Sequence, residues 1–505
     1  MSGDRRIRQI AIVGGGTAGW VAASMLARVL KGSQCSITVV EAPEIGTVGV
    51  GEATIPPILD FLRFLAIDEA DFIKHTQATY KLGIKFFDWH HIGHRYWHPF
   101  GTFGTPIDRR PPFHHWHRLK AAGLKPQFND FSLCAALGDE DRFLFPDPKG
   151  SAPVAGLRYA LHFDASLVAR YLSAYAQRLG VVSLKKTVTG VTQTEAGFLD
   201  ELIFSDQTRL KADFFIDCSG FRGVLIEKAL QTGFIDWSAM LPCDRAVALT
   251  THSKTARAPF TRAMARTAGW QWRIPQQHRV GNGYVYSSSA GITDQQALDD
   301  LLGVLGEEPL AEPGFLRFVA GRRKLFWNKN CLAIGLASGF LEPLESTSIH
   351  LAMSGVYNLF NYFPDLNFDQ ANIDAYNEHL IDEIEIIRDF IVLHYCTTQR
   401  DDSALWRYCR NMPLSDGLRQ KMELYKRTGR ALPRHGELFS DLSWFYIYDG
   451  MGVDPDGYDP LADSVDLAQL RRITQAHGQA AAAALRRAPS HDSYFAAIAG
   501  RRDAS

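Results

Sequence analysis

Several things are scarce in this sequence. Net charge is nearly zero, −1 over 505 residues with 22% charged side chains. That excludes the strongly basic face of a nucleic-acid binder and points away from acidic polymers as partners. Cysteine is sparse and dispersed: Cys35, Cys134, Cys218, Cys243, Cys331, Cys396 and Cys409, an odd number with no CxxC. This excludes a disulfide framework and a thiolate zinc site, and it predicts reduced, mostly buried thiols. No stretch reaches the roughly 18 uninterrupted apolar residues of a membrane-spanning helix. The opening MSGDRRIRQIAIVGGG carries no signal-peptide apolar region. A soluble, cytoplasmic protein is therefore expected, without membrane or nucleic-acid partners. Internal repeats and low-complexity linkers are also missing. Nothing fixes the oligomeric state, and a homodimer is compatible with the composition. The 46% apolar content allows two or three cores, or one large α/β body with insertions.

Glycine, by contrast, is present where chemistry needs it. Residues 8–13 read as a buried strand, followed by Gly14-Gly15-Gly16-Thr17-Ala18-Gly19. WVAASMLARVLKG then reads as a helix closed by Gly32, and SITVV as a second strand ending at Glu41. Strand, GxGxxG, helix, strand, acid is the dinucleotide fingerprint. Its glycines permit a tight turn, close approach to a pyrophosphate and helix–strand packing, and its acid meets the ribose hydroxyls. FAD and NAD both satisfy this pattern. A second glycine loop, GTVGVGEATIPP at 46–57, suits the longer ligand, FAD. LKADFFIDCSGFRG (210–223) and CLAIGLASGF (331–340) read as returning strands that would support adenine, ribityl and ring. Gly49/Gly51 and Gly281/Gly283 lack a third glycine, which argues against a built-in NAD(P)H site.

Gly335 to Met353, GLASGFLEPLESTSIHLAM, draws together several chemical features. A glycine-rich approach leads through Pro343 to Glu345. Ser346-Thr347-Ser348 then precede an apolar run at helical spacing, as N-cap residues do. A helix start offers unpaired N–H groups and a positive dipole end to an anion. The alternative is a capped helix with an exposed glutamate. In ATYKLGIKFFDW (78–89), Tyr80, Leu82, Ile84 and Phe86 alternate with Thr79, Lys81, Gly83 and Lys85. This predicts a half-buried strand with both lysines facing water. Residues 90–130 form an aromatic, histidine-rich insertion. His90-His91 and His114-His115 lack the carboxylates and spacing of a metal site, so neutral packing is expected and no metal is assigned.

Residues 151–240 return to α/β order, with HFDASLVARYLSAYAQRLG as a helix and KKTVTGVTQ and ELIFSD as a hairpin. GWQWRIP and GNGYVYSS read as strands. From about Asn372 the chain turns helical, SDLSWFYIYDGMG (440–452) reads as a compact aromatic loop, and the tail after about 465 reads as helix.

GGGTAGW, GEATIPP, YKLGIKF, WHPFG, GWQWRIP and FLEPLESTSI together resemble the flavin-dependent tryptophan halogenases; LHYCTTQRDDSALW also fits. The matches run from about residue 10 to about residue 400. The resemblance implies an α/β fold of the flavin-monooxygenase type. A Rossmann-type FAD-binding and halide-oxidising core would occupy 1–350, with an aromatic insertion near 90–130. A mainly helical substrate-binding module would occupy 351–505. It implies FAD used as FADH2 supplied by a separate flavin reductase, with chloride or bromide oxidised to hypohalous acid that travels to a lysine beside an electron-rich arene.

Residue by residue, the resemblance assigns Lys81 as the lysine that holds or is halogenated by the oxidant, and Glu345 as its carboxylate partner. Lys85 is a control. It places the cofactor on Gly14, Gly16, Thr17, Ala18, Gly19, Glu41, Ala53, Val188, Gly335 and Leu336. Halide falls to Thr347 and Ser348, where the family usually has glycine at the second position. His98, Phe100, Ser346 and Trp444 fall in the substrate pocket, and Trp270 and Trp272 in a wall that keeps substrate away from flavin. The region that grips free tryptophan in specific members does not align cleanly with DLSWFYIYDGMGVDPDGY. Tyr446, Tyr448 and Asp449 are substitutes, and indole or another indole-like or phenolic arene is the expected substrate. The competing expectations are a single-component flavin-dependent aromatic hydroxylase and a non-catalytic flavoprotein.

Overall fold

The computed structural model describes residues 4–44, 51–253 and 255–499. Of the glycine loop expected at 46–57, residues 46–50 lie outside the described residues. The chain forms two compact units, each from three segments: Met1–Gln77, Phe163–Ser238, Arg317–Glu385, and Ala78–His162, Ala239–Leu316, Ile386–Ser505. The division expected at residue 350 runs along the chain, whereas these units are interleaved.

In the first unit a six-stranded sheet runs in the order Trp327–Asn328, Cys331–Ala333, Phe214–Asp217, Gln9–Val13, Ser36–Glu41, Val182–Lys185. All pairings are parallel except the edge pair Trp327–Asn328 with Cys331–Ala333. Ile10, Ala11 and Ile12 are at most 1% exposed. This is the near-continuous apolar run that a parallel sheet covered on both faces requires. The chain leaves Gln9–Val13 toward Ser36–Glu41 on one side and returns beside it as Phe214–Asp217 on the other. The carboxyl end of Gln9–Val13 is therefore a topological switch point, where α/β sheets bind ligands. The expected hairpin forms from Val188–Gln193 and Leu199–Phe204. The helix after the glycine loop spans Thr17–Val29.

The second unit is built on a seven-stranded mixed sheet in the order Gly314–Arg317, Arg245–Thr251, Val280–Tyr286, Gly269–Pro275, Thr261–Arg266, Gly83–Phe87, Arg95–Pro99. Its later helices include Asp416–Thr428, Asp441–Gly450, Leu467–Arg487 and His491–Ala499. The helical run expected from Asn372 is Gln370–Cys396.

Three expectations change. SDLSWFYIYDGMG is not a loop but the helix Asp441–Gly450, with the Ser440 side chain capping its start. Trp444, Phe445, Tyr446, Ile447 and Tyr448 are all buried, so this helix is apolar around its circumference and lacks the one-faced periodicity by which sequence reveals a helix. The 90–130 insertion contains the strand Arg95–Pro99 and the helix Pro112–Ala121. Burial pushes its histidines toward the neutral form: His94 and His114 down to about 4, His117 to about 3. Finally, 78–89 is not one strand. Thr79–Lys81 pairs antiparallel with residues 160–162, while Gly83–Phe87 joins the mixed sheet. Leu82 is the joint, donating its N–H to Pro259 at 2.7 Å and accepting from Phe100 N–H at 2.8 Å.

None of the seven cysteines is in a disulfide. Among the described residues no helix is long and apolar enough to cross a membrane, and no cluster of three or more His, Cys, Asp or Glu is placed to hold a metal.

Candidate active site

In the first unit the glycine turn divides its labour as the fingerprint requires. Gly14 has φ +125°, and a Cβ there would lie 2.1 Å from the Cys218 carbonyl oxygen. A Cβ on Gly19 would lie 1.9 Å from the Gly14 carbonyl oxygen, so only glycine lets helix and turn close together. Around Gly16 nothing lies within 4 Å of such an atom. The open position is the one the fingerprint reserves for the pyrophosphate. Thr17 and Ala18 begin the helix, and Thr17 donates its hydroxyl to Ala165 O at 3.4 Å. Glu41 ends its strand, accepts from Ser183 Oγ at 2.7 Å and pairs with Lys185 Nζ at 2.6 Å. Gly15, absent from the expected set, makes room for that carboxylate: a Cβ there would sit 2.1 Å from Glu41 Oε2. The third consecutive glycine was the available signal.

The same unit carries the 335–348 stretch. Gly335 has φ +68° and approaches Ala18 so closely that its Cβ would lie 2.6 Å from that of Ala18. Leu336 beside it is 37% exposed. Ala53 is buried at the end of Gly51–Ala53, whose neighbour Glu52 is pushed up to about 7 by burial. Val188 is half-buried and packs on the core. A dinucleotide fits the open glycine at the switch point, and the contact of Gly335 with Ala18 brings a second loop to the same turn.

Glu345 is 1% exposed, which removes the alternative of a solvated carboxylate. Ser346 follows at φ +60°, an uncommon left-handed conformation for a non-glycine residue. Thr347 occupies the cap position of the helix Ser348–Asn361 but makes no side-chain capping bond. This corrects the expected capping role. Thr347 is 1% exposed and Ser348 half-buried.

In the second unit Lys81 is 0% exposed. Its Nζ lies 5.3 Å from the centroid of the Phe100 ring, within cation–π range. Water-facing lysines, expected from alternation, are thus contradicted most sharply at Lys81. The break at Leu82 places the two lysines in different pairings. Lys85 instead reaches the Asp139 carboxylate and lies over Trp97.

His98 is 5% exposed, in register with Ile84, and its ring lies 5.5–6.0 Å from those of Phe390, Phe439 and Tyr446. Trp444 stands edge-on to Phe390 at 5.0 Å, with Lys421 Nζ 4.6 Å from its ring. Trp444 Nε1, Tyr446 Oη and Tyr448 Oη are buried and have no hydrogen-bond partner among the described residues. Such groups call for a polar partner. Asp449 is committed elsewhere, accepting from Trp116 Nε1 at 3.0 Å and pairing with Lys120.

Trp270 and Trp272 project from one face of Gly269–Pro275, with ring centroids 6.1 Å apart. Trp272 lies flat across Gly283, directly opposite in register, where a Cβ would sit 2.1 Å from the indole ring. Gly283 is therefore a strand glycine that seats a tryptophan, not part of a second nucleotide loop.

A parallel sheet with a glycine turn at its switch point in one unit, and a second unit rich in buried aromatic rings, are the parts of an α/β protein of the flavin-monooxygenase type. Comparison with known proteins resolves the class further. The sequence profile of the tryptophan halogenase family matches residues 9–467. Tryptophan 7-halogenase RebH of Lentzea aerocolonigenes is 34% identical over 91% of this chain and 92% of its own. Among solved structures, BrvH, a flavin-dependent halogenase from Brevundimonas sp. BAL3, is 42% identical with a TM-score of 0.94, covering 98% of this chain and all of that one. Xcc4156, a flavin-dependent halogenase from Xanthomonas campestris, is 43% identical with a TM-score of 0.93, covering 97% of this chain and 98% of its own. The chain belongs to the tryptophan halogenase family and is a flavin-dependent halogenase, an enzyme type that uses FAD as FADH2 together with halide.

Proposed function

We propose that this enzyme halogenates indole or an indole derivative with chloride or bromide. The observation that carries this reading is Lys81, an amine wholly withdrawn from water and set beside an aromatic ring in a chain with an FAD cradle. Bound FADH2, with oxygen and halide, supplies hypohalous acid. The amine of Lys81 donates a hydrogen bond to that acid or takes its halogen, presenting an electrophile to the arene. Glu345 steadies the cationic ring and accepts the proton that the ring loses. The sum is ArH + HOX → ArX + H2O.

Thr347 and Ser348 receive the halide at the helix start, with the Ser348 hydroxyl as an added donor. Gly14, Gly16, Thr17, Ala18, Gly19, Glu41, Ala53, Val188, Gly335 and Leu336 hold the cofactor. Trp270 and Trp272 separate cofactor from substrate. His98, Phe100 and Trp444 take the substrate, where aromatic faces sandwich a flat ring, and Ser346 is assigned to substrate binding as well. With Asp449 tied to Trp116 and Lys120, the acid that the sequence offered for an ammonium group is engaged elsewhere, which favours indole over free tryptophan. A flavin reductase delivers FADH2 by diffusion, and the enzyme works in the cytoplasm.

The test combines protein, FAD, a flavin reductase, NADH and an arene panel that includes indole and tryptophan, with and without bromide or chloride. Bromoindole or chloroindole formed only with halide is expected. An oxygenated arene formed without halide, with NADPH consumption stimulated by the arene, identifies a single-component hydroxylase instead.

A further inference from the structure

Each of the three residues before Lys81 is held by a hydrogen bond, two of them with the segment 275–277 and one with the last helix. Ala78 O accepts from Gln277 Nε2 at 2.7 Å. Thr79 Oγ1 donates to Pro275 O at 2.7 Å, the last residue of the GWQWRIP strand. Tyr80 N–H donates to His491 Nε2 at 3.2 Å. An edge N–H of this kind is normally left to water or to another strand.

Two histidines complete the arrangement, and the bonds fix both tautomers. His491 Nδ1 lies 2.6 Å from Arg257 O. A carbonyl can only accept and an amide N–H can only donate, so His491 carries its proton on Nδ1 and accepts at Nε2. His162 lies between Thr79 Oγ1, 3.3 Å from Nδ1, and Thr261 Oγ1, 2.9 Å from Nε2. Thr79 spends its hydroxyl hydrogen on Pro275, so His162 donates from Nδ1 and accepts from Thr261. Both rings are 0% exposed, and both are the neutral form.

His491 opens the last helix, His491–Ala499, and Asp492 beside it pairs with Arg257 at 2.7 Å. Arg257 in turn donates to Gln276 O and Gln277 O at 3.2 and 2.7 Å. The circuit runs from the C-terminal helix through Arg257 and the 276–277 turn back to Ala78. The Tyr80 ring is enclosed from the same side, stacked on Phe143 at 4.3 Å and on Phe495 at 5.6 Å.

We propose that His491, together with His162, is a positioning residue for Lys81: the C-terminal helix holds the backbone of the lysine segment through the Tyr80 N–H, in addition to its pairing with residues 160–162. This rests on the reading of Lys81 as the group that delivers halogen. The imidazole gives that helix a directed bond to the lysine strand's backbone. A buried amine that must meet an oxidant and a ring together is sensitive to such placement, since misplacement of about 1 Å costs on the order of 100-fold in rate.

The test measures three quantities in the full chain: retained FAD, hypohalous acid captured by an added chemical trap, and halogenated indole. His491→Ala is expected to keep the first two and lose about tenfold in the third. His491→Gln, which can both accept and donate, recovers most of that loss. Thr79→Val, which removes the bonds to Pro275 and His162 without changing size, reproduces the deficit and serves where His491→Ala does not fold. Lys81→Ala is run alongside. If it keeps its halogenated product, the reading of Lys81 fails and not the brace alone. If Lys81→Ala loses product while folded His491→Ala and Thr79→Val do not, the brace is refuted. Equal losses in His491→Ala and His491→Gln, each accompanied by lost FAD, reduce His491 to packing and also overturn the proposal.

Discussion

Lys81 and Lys85 stand four residues apart in a run that alternates throughout, yet they meet opposite environments. Thr79–Lys81 pairs with residues 160–162 and has no exposed position, whereas Gly83–Phe87 joins a different sheet and leaves Lys85 at the rim with Asp139. The difference teaches that strand membership, decided at Leu82, outweighs period-two alternation. An ammonium with a carboxylate at a half-open rim is an ordinary surface ion pair. A lysine withdrawn wholly from water is costly to keep, which supports the role proposed for Lys81.

Gly19→Val sets the zero of this comparison. It should abolish FAD retention, because its Cβ collides with the Gly14 carbonyl, and halogenation then stops whatever the state of either lysine; flavin absorbance of the purified protein checks it. Lys81→Ala sharpens the contrast. Halogenated arene should fall by about 100-fold or more while halide-dependent oxidation of FADH2 continues. Acid probes the segments through the histidines that hold the first of them. His491 is pushed down from 6.5 to about 4 by burial. It therefore binds its proton more readily in the unfolded chain, and its contribution is complete above about 6.5 and lost as pH falls toward 4. Chemical unfolding should show a decline on the order of 3 kcal/mol from this group across that window. The decline should be flattened in His491→Gln. Lys85→Ala should change halogenation less than about threefold, because a partly exposed ion pair contributes at most about 1 kcal/mol. A Lys85 variant as damaged as Lys81→Ala would break the comparison.

The legible part of the molecule was the part that depends on backbone. Gly14, Gly16 and Gly19 announce the turn because the first needs a positive φ, the second leaves open space and the third lets helix and turn close together, and the apolar strand before them announces a parallel sheet. The helix of 441–450 was hidden because all its faces are buried, which erases periodicity. Burial of Lys81 was invisible because it depends on which distant strand pairs with residue 79. Gly283 resembled half of a nucleotide loop until its register partner, Trp272, was known. His162 and His491 belong to no motif, and their bonds join residues 83 and 411 positions apart. The catalytic assignments were legible only as a family pattern spread over most of the chain.

The most direct measurement is the ratio of bromoindole formed to FADH2 oxidised, taken side by side for the native enzyme, Lys85→Ala and Lys81→Ala with bromide, indole and a flavin reductase. The account predicts similar ratios for the first two and a ratio near zero for the third, with the missing oxidant recovered as free hypobromous acid. Bromoindole formed undiminished by Lys81→Ala contradicts it.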